Sequence, residues 1–165
     1  MISFIDDKVG ELVQALEASG QAENTVVVFC ADHGEMLGER GMWFKQSFFE
    51  WSARVPLTVS APARYAPRRV SECVSLVDLL PTLVGIGGGE VKLPCDGESL
   101  EAALDGRPTR DLVICDYSGI GPCVPTRMVR QGRYKLMYTH GHPDLLFDLE
   151  TDPNELHNLA EDSTH

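Results

Sequence analysis

At 165 residues, with 43% hydrophobic and 24% charged residues, the chain has the size and composition of one ordinary globular core rather than of a disordered segment. Its net charge of -11 argues against a nucleic-acid groove or an anionic membrane surface as partner. An anionic small molecule is not excluded, because a metal ion and one lysine can reverse the local field.

The first segment reads as an amphipathic helix, with Ile5, Val9, Leu12, Val13 and Leu16 on one face and Gly20 placed to end it. Nothing ahead of Ile2 can serve as an N-cap, so the helix is expected to have had a predecessor. The run Thr25-Val26-Val27-Val28-Phe29-Cys30 lacks alternation, which predicts a strand covered on both faces, as in a parallel sheet flanked by helices. Helix and strand together form the second half of a βαβ unit whose first strand is not in the chain, an internal sign of truncation. A second strand is predicted at 55–60 and a short helix at 79–86, with Asp78 as its N-cap, Pro81 in its first turn and Gly87-Gly88-Gly89 after it. Residues 90–110 read as loop. Short strands at 112–116, 126–130, 134–139 and 145–149 follow, with Gln131-Gly132 marking a hairpin. The expected organisation is an α/β part over 1–105 and a small antiparallel sheet over 106–165.

The five cysteines, at 30, 73, 95, 115 and 123, are odd in number and contain no Cys-x-x-Cys pair. Reduced, mostly buried thiols in a cytoplasmic protein fit better than disulfides or structural zinc. No apolar run approaches the roughly 20 residues of a membrane span, and no signal-peptide pattern opens the chain.

Chemistry concentrates in Asp32-His33-Gly34-Glu35, directly after the first strand. In open α/β sheets ligands bind beyond the carboxyl ends of strands. Asp offers a hard anionic oxygen and His a neutral nitrogen, which together can hold a divalent cation if the backbone turns, and Gly34 gives freedom for that turn. Two ligands make half a site. Alone, the turn is weak evidence, since an Asx-type turn with a solvated histidine has the same sequence.

The surroundings add specificity. Asp32, His33, Gly34, Gly38, Gly41 and Lys45 fit D-H-G-x-x-x-G-x-x-G-x-x-x-K, followed by Glu50 and Arg54-Val55-Pro56-Leu57. This resembles the sulfatase branch of the alkaline-phosphatase-like hydrolases, above all choline sulfatases and phosphonate monoester hydrolases. The likeness continues through Ser75-Leu76-Val77-Asp78-Leu79-Leu80-Pro81, Arg130-Gln131-Gly132-Arg133-Tyr134-Lys135 and Asp152-Pro153-Asn154-Glu155. It implies the C-terminal part of an αβα sandwich followed by a small antiparallel sheet. It implies Asp32 and His33 as metal ligands, Lys45 as a catalytic and substrate-binding point charge, and Ca2+, with Mn2+ as the alternative, as the metal. His33 stands where many arylsulfatases have Asn, which favours the choline sulfatase and phosphonate hydrolase side.

The family's nucleophile, a formylglycine made from Cys or Ser in a Cys/Ser-x-Pro-x-Arg motif, is expected upstream of the Asp-His pair and outside this chain. Cys123-Val124-Pro125-Thr126-Arg127 fits that pattern literally, but downstream of Asp32 and at the start of a predicted strand, so it reads as coincidence. Asp116-Tyr117 lies where choline sulfatases carry a Glu-Tyr pair near the cationic head group, which makes Asp116 a candidate substrate contact. His140 and His142 read as turn residues, and Glu50 and Arg54 as structural ion-pair partners. The expected function is hydrolysis of a small-molecule sulfate ester, with the isolated chain inactive for want of the nucleophile. Phosphonate or phosphate ester hydrolysis on the same site is the second reading. A non-catalytic truncated product acting as a binding or assembly module is the third, and a homo-oligomer is left open.

Overall fold

The computed structural model describes residues 1–119 and 124–163. They form two compact units, one made of Met1–Cys30 and Pro56–Arg68, the other of Ala31–Val55 and Arg69–His165.

In the first unit, helix α1 (Ile2–Ala18) ends where Gly20 takes the left-handed conformation, at φ 71°. A side chain resists that conformation, so the glycine stops the helix as its position in the sequence predicts. Strand β1 (Val27–Cys30) pairs with a later strand, β4 (Leu57–Ser60), in register Val27 to Ser60 and Cys30 to Leu57. The pair is antiparallel, which corrects the expectation of a parallel strand. A continuous β-branched run encodes extended backbone but not strand direction, and the chain returns through residues 31–56 to close an antiparallel ladder. Val9, Leu12, Val13 and Leu16 of α1 and Val27, Val28 and Phe29 of β1 line an apolar cavity of about 300 Å³. The apolar face predicted from periodicity thus borders a hollow shared with the strand, and no helix residue is buried.

The second unit is built on a four-stranded antiparallel meander, β5 (Leu112–Tyr117), β6 (Thr126–Gln131), β7 (Tyr134–Thr139) and β8 (Leu145–Asp148). Gly132 turns the β6–β7 hairpin at φ 54°. Val113, Met128, Met137 and Phe147 form the core on one face of the sheet. Phe48 and Phe49 pack against that core, and the Phe49 and Phe147 ring centroids lie 6.2 Å apart. The segment carrying Asp32, His33 and Lys45 thus shares its core with the sheet.

Two elements within this unit escape a reading by periodicity. A two-residue-per-strand hairpin pairs β2 (Met36–Leu37) with β3 (Trp43–Phe44), and the one-turn helix α2 (Glu50–Ala53) follows it. Farther on, α3 (Leu79–Ile86) has the predicted bounds, but Asp78 does not cap it through its side chain. Its carboxylate instead accepts from the Ser75 and Glu98 amides and from Arg110, at 2.8, 2.9 and 3.0 Å. The stretch expected as loop also contains a short helix, α4 (Glu101–Leu104). Cys30 and Cys95 are exposed thiols, and Cys73 and Cys115 are half-buried, so the expected burial of the cysteines does not hold for these four. Cys123, which opens the Cys-x-Pro-x-Arg match, lies outside the described residues. Among the described residues no helix is long and apolar enough to cross a membrane.

Candidate active site

The local chain path brings Asp32, His33 and Lys45 together. Asp32 Oδ1 accepts the amide of the next residue, His33, at 3.0 Å. Asp32 Oδ2 then lies 3.4 Å from His33 Nε2. Gly34 follows with a hydrogen bond from its amide to Ser52 O at 2.7 Å, and Glu35 donates to Trp51 O at 2.8 Å. The site turn is therefore pinned to the backbone of α2. A Cβ on Gly34 would overlap the Trp51 carbonyl oxygen and lie 3.2 Å from Ser52 O. The glycine is required here for close backbone approach, rather than for the turning freedom assigned to it from sequence.

His33 Nδ1 lies 2.7 Å from Gly34 O, and Lys45 Nζ lies 2.8 Å from His33 Nε2. One tautomer satisfies both contacts: Nδ1–H donates to the carbonyl, and the Nε2 lone pair accepts from the ammonium. A backbone carbonyl that fixes Nδ1–H and turns the Nε2 lone pair outward is the usual support of a metal-ligating histidine. A cation on Nε2 would take that lone pair from the Lys45 ammonium, which now lies against it. The Asp32 side chain is 85% exposed, so its carboxylate is open to a ligand. These are two donors, one oxygen and one nitrogen, and they fit half of a divalent-cation site. Among the described residues no group of three or more His, Cys, Asp or Glu side chains could complete it.

Lys45 follows Phe44, whose φ of 71° is left-handed and costly for an aromatic residue. Its carbonyl accepts from the Ser47 amide at 2.8 Å and the Ser52 hydroxyl at 2.6 Å. Behind α2 lies a charge network with no counterpart in the sequence reading beyond Glu50 and Arg54. Lys135, fully buried on β7, donates to Glu50 Oε1 at 2.9 Å and lies 2.8 Å from Glu155 Oε1. Arg130 reaches Glu50 Oε2 at 3.2 Å, and Glu155 Oε2 accepts the Glu50 amide at 2.7 Å. Arg54 stands 3.9 Å from Glu50, so both residues are the ion-pair partners their sequence context suggests. The one available signal for Lys135 is its position two residues before Met137, on the inward face of the same strand.

The remaining candidates lie apart from this cluster in their contacts. Asp116 is exposed and accepts from Arg127 Nε at 2.6 Å across the β5–β6 pair. Among the described residues no hydrogen bond or ion pair joins it to Asp32, His33 or Lys45. His140 meets Tyr138 Oη at 3.2 Å and His142 donates its amide to Thr139 O at 3.0 Å, both within the β7–β8 turn.

Comparison with known proteins identifies the setting of this cluster. The Sulfatase family model matches residues 1–89, which include the whole segment from Asp32 to Lys45. The chain belongs to the sulfatase family. It is similar to the choline-sulfatase of Rhizobium meliloti (strain 1021), with 43% identity over 163 residues, covering 97% of this chain and 32% of that protein. It is also similar to arylsulfatase K of Gallus gallus, at 34% identity over 172 residues, 97% of this chain and 32% of that one. Among solved sulfatase structures, a 2-O GAG sulfatase superposes with a TM-score of 0.86 at 30% identity, over 97% of this chain and 37% of the other. The phosphonate monoester hydrolase of Agrobacterium radiobacter does so at 0.84 and 31%, over 99% and 36%. The chain spans about a third of the length of the curated sulfatases it matches. Its fold is the corresponding portion of an alkaline-phosphatase-like sulfatase: mixed helix and strand followed by a small antiparallel sheet.

Proposed function

We propose that this segment forms one wall of the active site of a metal-dependent sulfuric ester hydrolase. The reading rests on one observation: the Asp32 carboxylate, His33 Nε2 and Lys45 Nζ converge, with Oδ2 and Nζ 3.4 and 2.8 Å from Nε2. A cation held on Nε2 would displace the ammonium and leave it beside the cation for an ester oxygen. Asp32 and His33 would hold a divalent cation, calcium on the oxygen-rich ligand set inferred for the complete site, or manganese given the imidazole. That cation supplies charge stabilisation to an ester's tetrahedral oxygens. Gly34 O holds the imidazole in the tautomer that presents Nε2. Lys45 aims a compact positive charge at oxygens that gain negative charge as the ester bond breaks.

The nucleophile, a formylglycine in the sulfatase reading, belongs to a part of the protein outside this chain. The isolated 165 residues are accordingly expected to show negligible turnover. The substrate class favoured is a small sulfate ester of the choline type, supported by His33 in the motif and by the similarity to a choline-sulfatase. Asp116, already paired with Arg127 through Oδ1, would meet a cationic alcohol group in competition with that arginine.

A second reading, phosphonate monoester hydrolysis, draws on the superposition with the Agrobacterium radiobacter enzyme. The two separate in a hybrid in which this chain replaces the matching third of the Rhizobium meliloti choline-sulfatase, assayed on choline sulfate and a phosphonate monoester in parallel. Higher kcat/KM on the sulfate supports the proposal, and higher kcat/KM on the phosphonate supports the second reading. A folded hybrid that turns over neither ester contradicts both.

A further inference from the structure

Ser52 stands where the two segments of the candidate site cross. It is 2% exposed, and it uses both its side chain and its backbone on site residues. The hydroxyl donates to Lys45 O at 2.6 Å, and the carbonyl accepts the Gly34 amide at 2.7 Å. A helical serine commonly returns its hydroxyl to a carbonyl three or four residues back. Here it reaches seven residues back, out of the helix, onto the residue that carries the ammonium. One buried residue thereby ties the His33-Gly34 turn and the Lys45 backbone to a common support.

That support is itself fixed. Glu50, the first residue of α2, is held through its amide by Glu155 and through its carboxylate by Lys135 and Arg130. Four rotatable bonds separate the lysine ammonium from its backbone, so a fixed backbone sets the origin from which Nζ reaches His33, and the contact with Nε2 fixes its end. The left-handed Phe44 immediately before it persists only where neighbouring contacts over-determine the chain path. The Ser52–Lys45 bond acts on the very next carbonyl.

We propose that Ser52 is a positioning residue: its hydroxyl sets the Lys45 backbone so that Nζ reaches His33 Nε2. The inference deepens the sulfatase reading, because the lysine it positions is the one assigned there to the ester oxygens, and its contact with His33 Nε2 reports that position in the metal-free chain.

The test is nitrogen-15 NMR of the His33 imidazole in the 165-residue chain, which needs neither metal nor turnover. Lys45→Met defines the displacement of the Nε2 resonance when the lysine contact is lost. Ser52→Ala removes the hydroxyl and keeps the carbonyl, and should move Nε2 in the same direction by more than half that displacement. Ser52→Thr restores a hydroxyl and should return the resonance to its wild-type position. A merely structural serine would lower stability without moving Nε2 toward the Lys45→Met value. Should Ser52→Ala fail to fold, Ser52→Cys, which keeps the volume and weakens the donor, takes its place with the same expectation. The proposal is overturned by an unmoved Nε2 resonance in the folded variant, or by Ser52→Thr moving it as far as Ser52→Ala. If the hybrid enzyme turned over no ester, the catalytic reading would fall while this comparison kept its meaning.

Discussion

Lys135→Met is the substitution that most sharply tests how the site is held. Lys135 is fully buried, with its ammonium 2.9 Å from Glu50 Oε1 and 2.8 Å from Glu155 Oε1. Methionine has nearly the same length and shape, so little cavity opens and the loss is mainly one of charge. Breaking a buried pair by removing one partner costs about 3–5 kcal/mol, because the opposite charge is left uncompensated. Glu50 keeps Arg130 at 3.2 Å and its side chain is 14% exposed, while Glu155 keeps the Glu50 amide. The lower end, about 3 kcal/mol, is therefore expected. For a chain of this size that corresponds to a fall in Tm of roughly 6–12 °C. Urea denaturation followed by circular dichroism, supported by a thermal scan, measures it. Adding Glu155→Gln to Lys135→Met should recover part of the loss, since the remaining Glu50–Arg130 pair then leaves no buried carboxylate without a counter-charge. A loss below about 1 kcal/mol for Lys135→Met would mean that both carboxylates reach water once the lysine is gone, and the network would not be what anchors α2.

Gly34→Ala should destabilise the chain by about 1–3 kcal/mol and separate the His33 turn from α2, because the new Cβ meets the Trp51 and Ser52 carbonyls. Gly10→Ala is its control: Gly10 lies within α1 with nothing near a Cβ, so stability should rise by about 0.5–1 kcal/mol. Both are read from urea midpoints, and equal effects of the two would refute the close-approach argument. The Asp148 carboxyl is held far below the usual carboxylate range, first by its hydrogen bonds with Arg133, then by Thr151 and the Glu150 amide, against the opposing effect of burial. A depressed folded-state pKa contributes stability that is complete above the unfolded value of about 4 and is lost as pH falls through the folded one. Asp111, lowered chiefly by accepting the Cys73 amide, acts in the same direction. Urea midpoints should therefore fall progressively below about pH 4, and Asp148→Asn should flatten part of that slope. An unchanged slope in Asp148→Asn would contradict the assignment.

Much of the second unit is legible in the sequence. The meander strands are marked by alternation and by turn residues, and Gly132 stands at the hairpin where φ is positive. The helix over 79–86 is equally plain. What escaped does so for physical reasons. Strand direction in the β1–β4 pair is set by the chain's return path, which composition does not record. The β2–β3 hairpin has two residues per strand, too few for a period, inside a motif whose spacing reads as chemistry. Asp78 looks like a helix cap locally, but Arg110 and the Glu98 amide, 32 and 20 residues away, claim its carboxylate. The Glu50–Lys135–Glu155 network joins residues 85 and 20 positions apart, so no local window contains it. At the site itself, the spacing from Asp32 to Lys45 indicated which residues matter. It did not indicate that Ser52 holds them, because a serine in a one-turn helix carries no sequence signal of its target.

The most direct measurement of the central claim is kcat on choline sulfate for the hybrid choline-sulfatase carrying this chain, with and without Lys45→Ala. Loss of one preorganised charge aimed at the reacting oxygens is expected to lower kcat by about 10²–10³-fold while the fold is retained. A folded Lys45→Ala hybrid with unchanged kcat would contradict the assignment of Lys45 to the reacting ester, and with it the reading of the Asp32–His33–Lys45 cluster as a sulfatase active-site wall.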